Sequence, residues 1–182
     1  MRKLNELEGV CLGVIQKTQP CTAYSLRKVL KASPSSHWRA SAGAIYPLLA
    51  RLEDEELITG EEDEEDQRGR KYLMITARGK KAFKSWIKEI TNPDLIADVY
   101  DPLRSRVFFL DALSDGEQQR FADDVLGALN QYKKITEEHL ADRPASDDLF
   151  EHLGALGGAI NAESRVVFHK KLLAAIRCKP KT

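Results

Sequence analysis

Residues 41–58 read SAGAIYPLLARLEDEELI, and residues 67–81 read QRGRKYLMITARGKK. Ser41 can cap a helix whose apolar face is Ile45, Leu48, Leu49 and Leu52, spaced three and four apart. Leu57-Ile58-Thr59 and Tyr72-Leu73-Met74-Ile75 follow as short strands, joined by a polar, acidic loop closing at Gly69. Thr76 can cap the next helix. Arg68 and Arg70 sit at the hairpin tip. Helix, basic hairpin, helix is the order of the reading head and wing of a winged helix-turn-helix, and it points to DNA.

Pro47 tests that reading. Inside a helix it cannot donate to the carbonyl of Gly43, and its ring crowds that turn. Gly43 and Ala44 are small enough to absorb a kink, and the apolar spacing runs straight through. The helix is therefore expected to continue from Ser41 to Glu55.

Working outward, Leu4, Leu7, Cys11, Val14 and Ile15 make a first helix. Gln19-Pro20 turns the chain, and Thr22 caps a second helix with Tyr24, Leu26, Val29 and Leu30. Ser33-Pro34-Ser35-Ser36 is a loop. The helix opened by Thr76 carries Phe83, Trp86, Ile87 and Ile90 and ends at Asn92-Pro93-Asp94. Residues 1–90 thus form one domain and 91–102 a linker.

Residues 103–182 read as wholly helical. Leu103, Val107, Phe108 and Leu110 make a short amphipathic helix. Ser114 and Glu117 form a capping box that opens a long helix, 114–140, with Phe121, Val125, Leu129, Tyr132 and Ile135. Arg143-Pro144-Ala145-Ser146 turns the chain into a last helix, 147–176, with Leu149, Leu153, Leu156, Ile160, Val167, Leu173 and Ile176. A two-helix hairpin cannot bury such stripes alone, so it needs a partner. Gly154, Gly157 and Gly158 cost helix stability, about 1 kcal/mol each against Ala, so the cluster implies close packing. A second copy is the expected partner, with Phe121, Val125, Leu129, Leu153, Leu156, Gly157, Ile160, Val167 and Leu173 at the interface; packing against the first domain is the alternative.

The expected fold is mainly α: a winged helix-turn-helix of three to four helices plus a two-stranded wing, then an α-helical dimerisation domain. The 182 residues carry no net charge, but the balance is uneven. Residues 1–88 hold 16 Lys+Arg and 12 Asp+Glu, and ten of those acids lie between Glu53 and Asp66. Residues 89–182 hold 12 bases and 16 acids. The basic half is the one suited to a polyanion. No apolar run approaches the roughly 18 residues of a membrane span, and no secretion signal opens the chain. Cys11, Cys21 and Cys178 are widely spaced, which argues against a disulfide framework or a zinc site and for a reducing cytoplasm. His139, His152 and His169 lack metal spacing. With no nucleophile–base pair, phosphate-cradling loop or HExxH, neither an enzyme nor a cofactor is expected.

A reading helix enters the major groove with small or polar residues in its first turns; Ser41, Ala42, Gly43 and Ala44 meet that need. Arg39, His37 and Tyr46 are candidates to reach bases or phosphate, Tyr46 being equally suited to a core. Arg68, Arg70 and Lys71 are candidates for the backbone or minor groove. Thr22 and Tyr24 begin the second helix; Tyr24 reaches a phosphate or packs. Trp38 reads as a buried anchor. Phe83 and Trp86 read as core, with a ligand pocket as the alternative for Trp86.

The strings IYPLLARLEDEELI (45–58) and RGRKYLMITARGKKAF (68–83) closely resemble the PadR-like transcriptional regulators, over about residues 4–90. LRSRVFFLDALS (103–114) resembles, more weakly, the helical C-terminal domain of the longer members. The resemblance implies a homodimer held by C-terminal helices, with two winged helices on a pseudo-palindromic operator in double-stranded DNA. Most members repress transcription, and some leave DNA on binding a small phenolic or hydrophobic effector. A pocket for one is expected between the domains or at the dimer interface. Two departures stand out. Glu56 occupies a position that is often glycine, and six acids, EEDEED (61–66), precede the wing arginines. The acidic wing motivates a second reading, a winged-helix protein-interaction adaptor that does not bind DNA.

Overall fold

The structure is a computed structural model and describes residues 2–34, 38, 42–62, 70–89 and 101–179, with Ala42 and Gly43 described by backbone only. The chain divides into two compact units, Met1–Asp98 and Val99–Thr182. It is mainly helical, a winged helix followed by a helical unit. Among the described residues no helix is long and apolar enough to cross a membrane.

The first unit runs α1 (Glu6–Thr18), β1 (Cys21–Thr22), α2 (Ala23–Ala32), α3 (Ala42–Asp54), β2 (Ile58–Glu62), β3 (Lys71–Ile75) and α4 (Ala77–Ile87). The starts of α1, α2 and α4 are each set by a side chain that accepts an orphan amide. Asn5 and Glu8 form a reciprocal capping box on α1, Thr22 and Ser25 form one on α2, and Thr76 Oγ1 takes the Gly79 amide at 2.9 Å. The wing hairpin pairs Ile58 with Ile75 and Gly60 with Leu73. The sequence reading missed β1. It adds a third antiparallel strand, Cys21 opposite Leu73, and sheet order β1-β3-β2. Two residues are too few to show a period of two.

Leu12, Ile15, Leu26, Leu30, Ile45, Leu52, Leu57 and Ile58 are the large apolar side chains fully enclosed in one core. Phe83 and Trp86 of α4 stack at 5.9 Å and pack on its side. Gly9 leaves room for that stack: a Cβ there would lie 2.2 Å from Trp86 Cε2. Ile87, expected on the apolar face of α4, is instead exposed. Trp38, expected as a buried anchor, keeps 36% of its surface exposed, in line with the difficulty of enclosing so large a side chain. The cap expected of Ser41, the helical position of Ile90, and the 91–100 stretch lie outside the described residues.

Pro47 does not break α3, which runs unbroken from Ala42 to Asp54. Its ring faces solvent, and the carbonyl that loses a donor belongs to Gly43 in the first turn.

The end of α3 explains the first departure. The Leu57 amide bonds the Leu52 carbonyl and the Glu56 amide bonds the Glu53 carbonyl, both at 2.8 Å. That is the Schellman pattern, and it puts Glu56 at φ 57°, the left-handed region where glycine carries no Cβ penalty. Leu52 and Leu57, which the motif brings together, are both in the core. Glu56→Gly is therefore expected to stabilise the unit by about 1 kcal/mol. The lost Glu56–Arg78 pair is exposed and worth less than that. Thermal unfolding checks it, and a lower midpoint would contradict it.

The second unit comprises α5 (Pro102–Val107), a 3-10 turn (Leu110–Ala112), α6 (Asp115–Ala141) and α7 (Leu149–Cys178). The single short helix expected through Leu110 breaks after Val107, and Phe108 and Phe109 are exposed. The expected Ser114–Glu117 box opens α6. Helices α6 and α7 run antiparallel, cross-linked by Asp123–Arg177 at 3.1 Å and by Lys133–Glu163. The seam buries Ala122, Leu129 and Thr136, seven apart on α6, and Ala155, Ala162, Val166, His169 and Leu173, three, four or seven apart on α7. Asp101 caps α5 and holds Arg165 of α7 through both oxygens, each at 3.0 Å.

Candidate nucleic-acid interface

Strand pairing brings two distant parts of the sequence together. Thr22 lies opposite Tyr72, so Arg70, just ahead of β3, emerges beside the start of α2. Between them is an open cleft of about 520 Å³ lined by Pro20, Thr22, Tyr24, Ser25, Arg70 and Tyr72. Three residues predicted separately thus share one site. Tyr24 is 71% exposed, which decides against the packing alternative. The capping box takes the Ser25 amide at 3.1 Å, and the positive end of the α2 dipole faces the cleft. A guanidinium, a phenol and a helix N-terminus form a suitable set for phosphate.

The outer face of α3 is low. Ile45, Leu48, Leu49 and Leu52 turn inward, leaving Ala44, Tyr46, Pro47 and Ala50 exposed. Tyr46 is 56% exposed, so the core alternative for it falls away. Small neighbours let the backbone approach a groove floor, with Tyr46 as the projecting side chain. Ala42 and Gly43 are in the first turn of the helix. His37, Arg39, Ser41 and Arg68 lie outside the described residues, as do acids 63–66 of the wing. Glu61 and Glu62 are exposed on β2.

Lys71 differs from expectation. Its Nζ sits 2.7 Å from Glu53 of α3, and its stem covers Gly60, where a Cβ would lie 2.0 Å from Lys71 Cε. The ammonium is paired with a carboxylate of α3, both side chains remaining partly exposed.

Sequence reasoning missed a buried charge. Glu8 of α1 is fully enclosed and accepts from Arg2 Nη1 at 2.7 Å, Arg2 Nη2 at 2.8 Å, Arg51 Nε at 3.1 Å and the Asn5 amide at 3.0 Å. Arg2 also reaches Glu55 at 2.6 Å. Burial pushes the Glu8 carboxyl up, but Arg2, the Asn5 amide and Arg51 together outweigh it and hold the group below its usual value. The neighbouring Cys11 thiol is pushed up to about 12 by burial and by the Glu8 charge, which makes it an inert core residue. The spacing of Glu8 three residues after Asn5 is a capping-box signal that the sequence reading did not use, and its arginine partners left no local signal.

In the second unit, Leu153, Ile160 and Val167 of α7 are 48%, 59% and 43% exposed on one side. A Cβ at Gly154, Gly157 or Gly158 would meet nothing within 4 Å. Phe121, Val125 and Leu156 are half-buried. Leu129 and Leu173, also assigned to a dimer face by the sequence, are instead enclosed between α6 and α7 of the same chain. Their spacing belongs to the intrachain seam, which has the same period as an outer face.

Residues 11–85 match the model of the transcriptional regulator PadR-like family. This stretch is a PadR-like domain. The chain is similar in fold to Bacillus subtilis PadR crystallised in complex with operator DNA, at 21% identity, TM-score 0.81, covering 94% of this chain and 99% of that one. It is similar to the same protein in complex with p-coumaric acid, at 22% identity and TM-score 0.76, covering 94% and 98%. The Vibrio cholerae virulence activator AphA matches at 18% identity and TM-score 0.73, covering 94% and 98%. At these identities the likeness establishes the PadR fold over nearly the whole chain. No curated protein matches the chain by sequence.

Proposed function

We propose that this chain is a DNA-binding transcriptional regulator that acts as a homodimer on a pseudo-palindromic operator and represses transcription. The cleft joining Thr22, Tyr24 and Arg70 carries this reading. It gathers a guanidinium, a phenol and a helix N-terminus suited to phosphate on the same unit as α3, whose exposed face is small enough to enter a major groove. A structural relative is crystallised with operator DNA. Gel-shift with the duplex upstream of the protein's own gene tests binding, and no shift at low salt by a folded protein overturns it. A reporter placed behind that duplex tests the sign: expression of the regulator lowers output if it represses, and a rise makes it an activator.

Arg70→Ala is expected to weaken binding about tenfold and to reduce the slope of log affinity against log salt by about one. An unchanged slope would remove Arg70 from the interface.

The dimer uses the outer side of α7, where Leu153, Ile160 and Val167 are exposed beside glycines with open space above them. Sedimentation at micromolar concentration tests this, and a monomer overturns it. A small aromatic effector is part of the proposal, since a relative of this fold is crystallised with p-coumaric acid. Release of the bound duplex by hydroxycinnamic acids is its test; retention at millimolar acid contradicts it.

A further inference from the structure

Arg51, Leu52 and Glu53 are consecutive residues near the end of α3, and they point three ways. Leu52 enters the core. Arg51 reaches back to Glu8 on α1, with Nη2 2.8 Å from Glu8 Oε1. Glu53 reaches Lys71 at the first residue of β3, at 2.7 Å. The reading helix is thereby tied to two elements by charge pairs that leave it from different sides. One tie ends on a fully enclosed carboxylate. The other ends on the strand that carries the wing, one residue after Arg70.

Packing alone fixes a helix axis less strictly than it fixes burial, because apolar contacts are non-directional. Hydrogen-bonded charge pairs are directional. A misplacement of about 1 Å or 10–20° is enough to spoil a recognition geometry. We infer that Arg51 and Glu53 clamp the reading helix between α1 and the wing, so that Glu8 and Lys71 are positioning residues for DNA recognition. This rests on the DNA-reading function proposed above. It gives Lys71 a task other than gripping phosphate. The Lys71 stem over Gly60 supports it, since the stem is seated against the wing backbone and its ammonium is directed to α3.

The test is a charge exchange in the full-length chain. The probes are a duplex selected by the wild-type protein from random-sequence DNA and a scrambled duplex of equal length. The readout is the ratio of the two affinities, which cancels changes in overall charge. Glu53→Lys alone and Lys71→Glu alone are each expected to lower the ratio about tenfold, and the exchanged pair Glu53→Lys/Lys71→Glu to return within about threefold of wild type. Lys71→Met is expected to keep the wild-type salt slope.

A Lys71 that touches phosphate predicts otherwise. The exchanged protein would then stay weak, and Lys71→Met would reduce the slope by about one. Either result overturns the clamp. Failure of the exchange to restore the ratio overturns it too, while a wild type with no preference between the duplexes overturns both the clamp and the DNA reading. Because the exchanged protein keeps a pair at this position, it carries the test even where a single reversal impairs folding.

Discussion

Glu8→Gln lowers the stability of the winged-helix unit by about 2 kcal/mol at neutral pH. Removing one partner of a wholly buried ion pair costs about 3–5 kcal/mol, because the other charge is left without compensation. Here Arg2 and Arg51 are 41% and 51% exposed and can rehydrate, which brings the expected loss down. Glutamine keeps an oxygen for the Asn5 amide, so the capping box survives and the loss isolates the charge. For a unit of this size, about 2 kcal/mol corresponds to a fall of roughly 10 °C in the unfolding midpoint. The pH dependence gives a second readout. The folded carboxyl is held below its usual 4.5, so the unfolded chain takes up the proton first as pH falls. The contribution of the charge is complete above about pH 4.5 and drains away as pH drops through the folded value. Wild type and variant should therefore converge in acid. Equal midpoints at pH 7, or a gap that widens in acid, would contradict the ion-pair reading.

Gly79→Ala destabilises the same unit by about 2–3 kcal/mol, although alanine is the better helix former by about 1 kcal/mol. The reason is a close approach of backbones. A Cβ at Gly79 would sit 1.9 Å from the Leu57 carbonyl oxygen and 2.8 Å from Ile75 Cγ1. That carbonyl already accepts the Thr76 amide at 3.1 Å, and it anchors the start of α4 to the turn that ends α3. Neither atom is the loose end of a flexible side chain, so α4 itself must shift. Gly127→Ala is the control. Nothing lies within 4 Å of its Cβ on α6, and only the propensity gain of about 1 kcal/mol remains. Denaturant unfolding of the two variants should give opposite signs. A neutral Gly79→Ala would show that the approach of α4 to Leu57 is slack.

Much of this was legible in the sequence because it depended on period and end signals. The Thr22, Thr76 and Ser114 starts follow short-range capping rules, and the inner face of α3 follows its spacing, even across Pro47. What escaped was long-range or degenerate. Strand β1 has two residues and exists only through its pairing with β3. Arg51 and Lys71 look alike as exposed bases, and only the fold assigns each to a carboxylate. Leu129 and Leu173 share a period with the outer face of α7, so spacing alone could not separate a seam within the chain from a seam between chains. Glu56 was visible as a departure, but its cause is a backbone angle.

Selection of bound duplexes from random-sequence DNA by the full-length protein tests the central claim most directly. Two winged helices related by a two-fold axis read two half-sites about one helical turn, or a multiple of it, apart. The enriched sequences should therefore converge on an inverted repeat, with the preference weakened by Arg70→Ala and retained by the Glu53→Lys/Lys71→Glu exchange. A folded protein that enriches no sequence at low salt would contradict the claim.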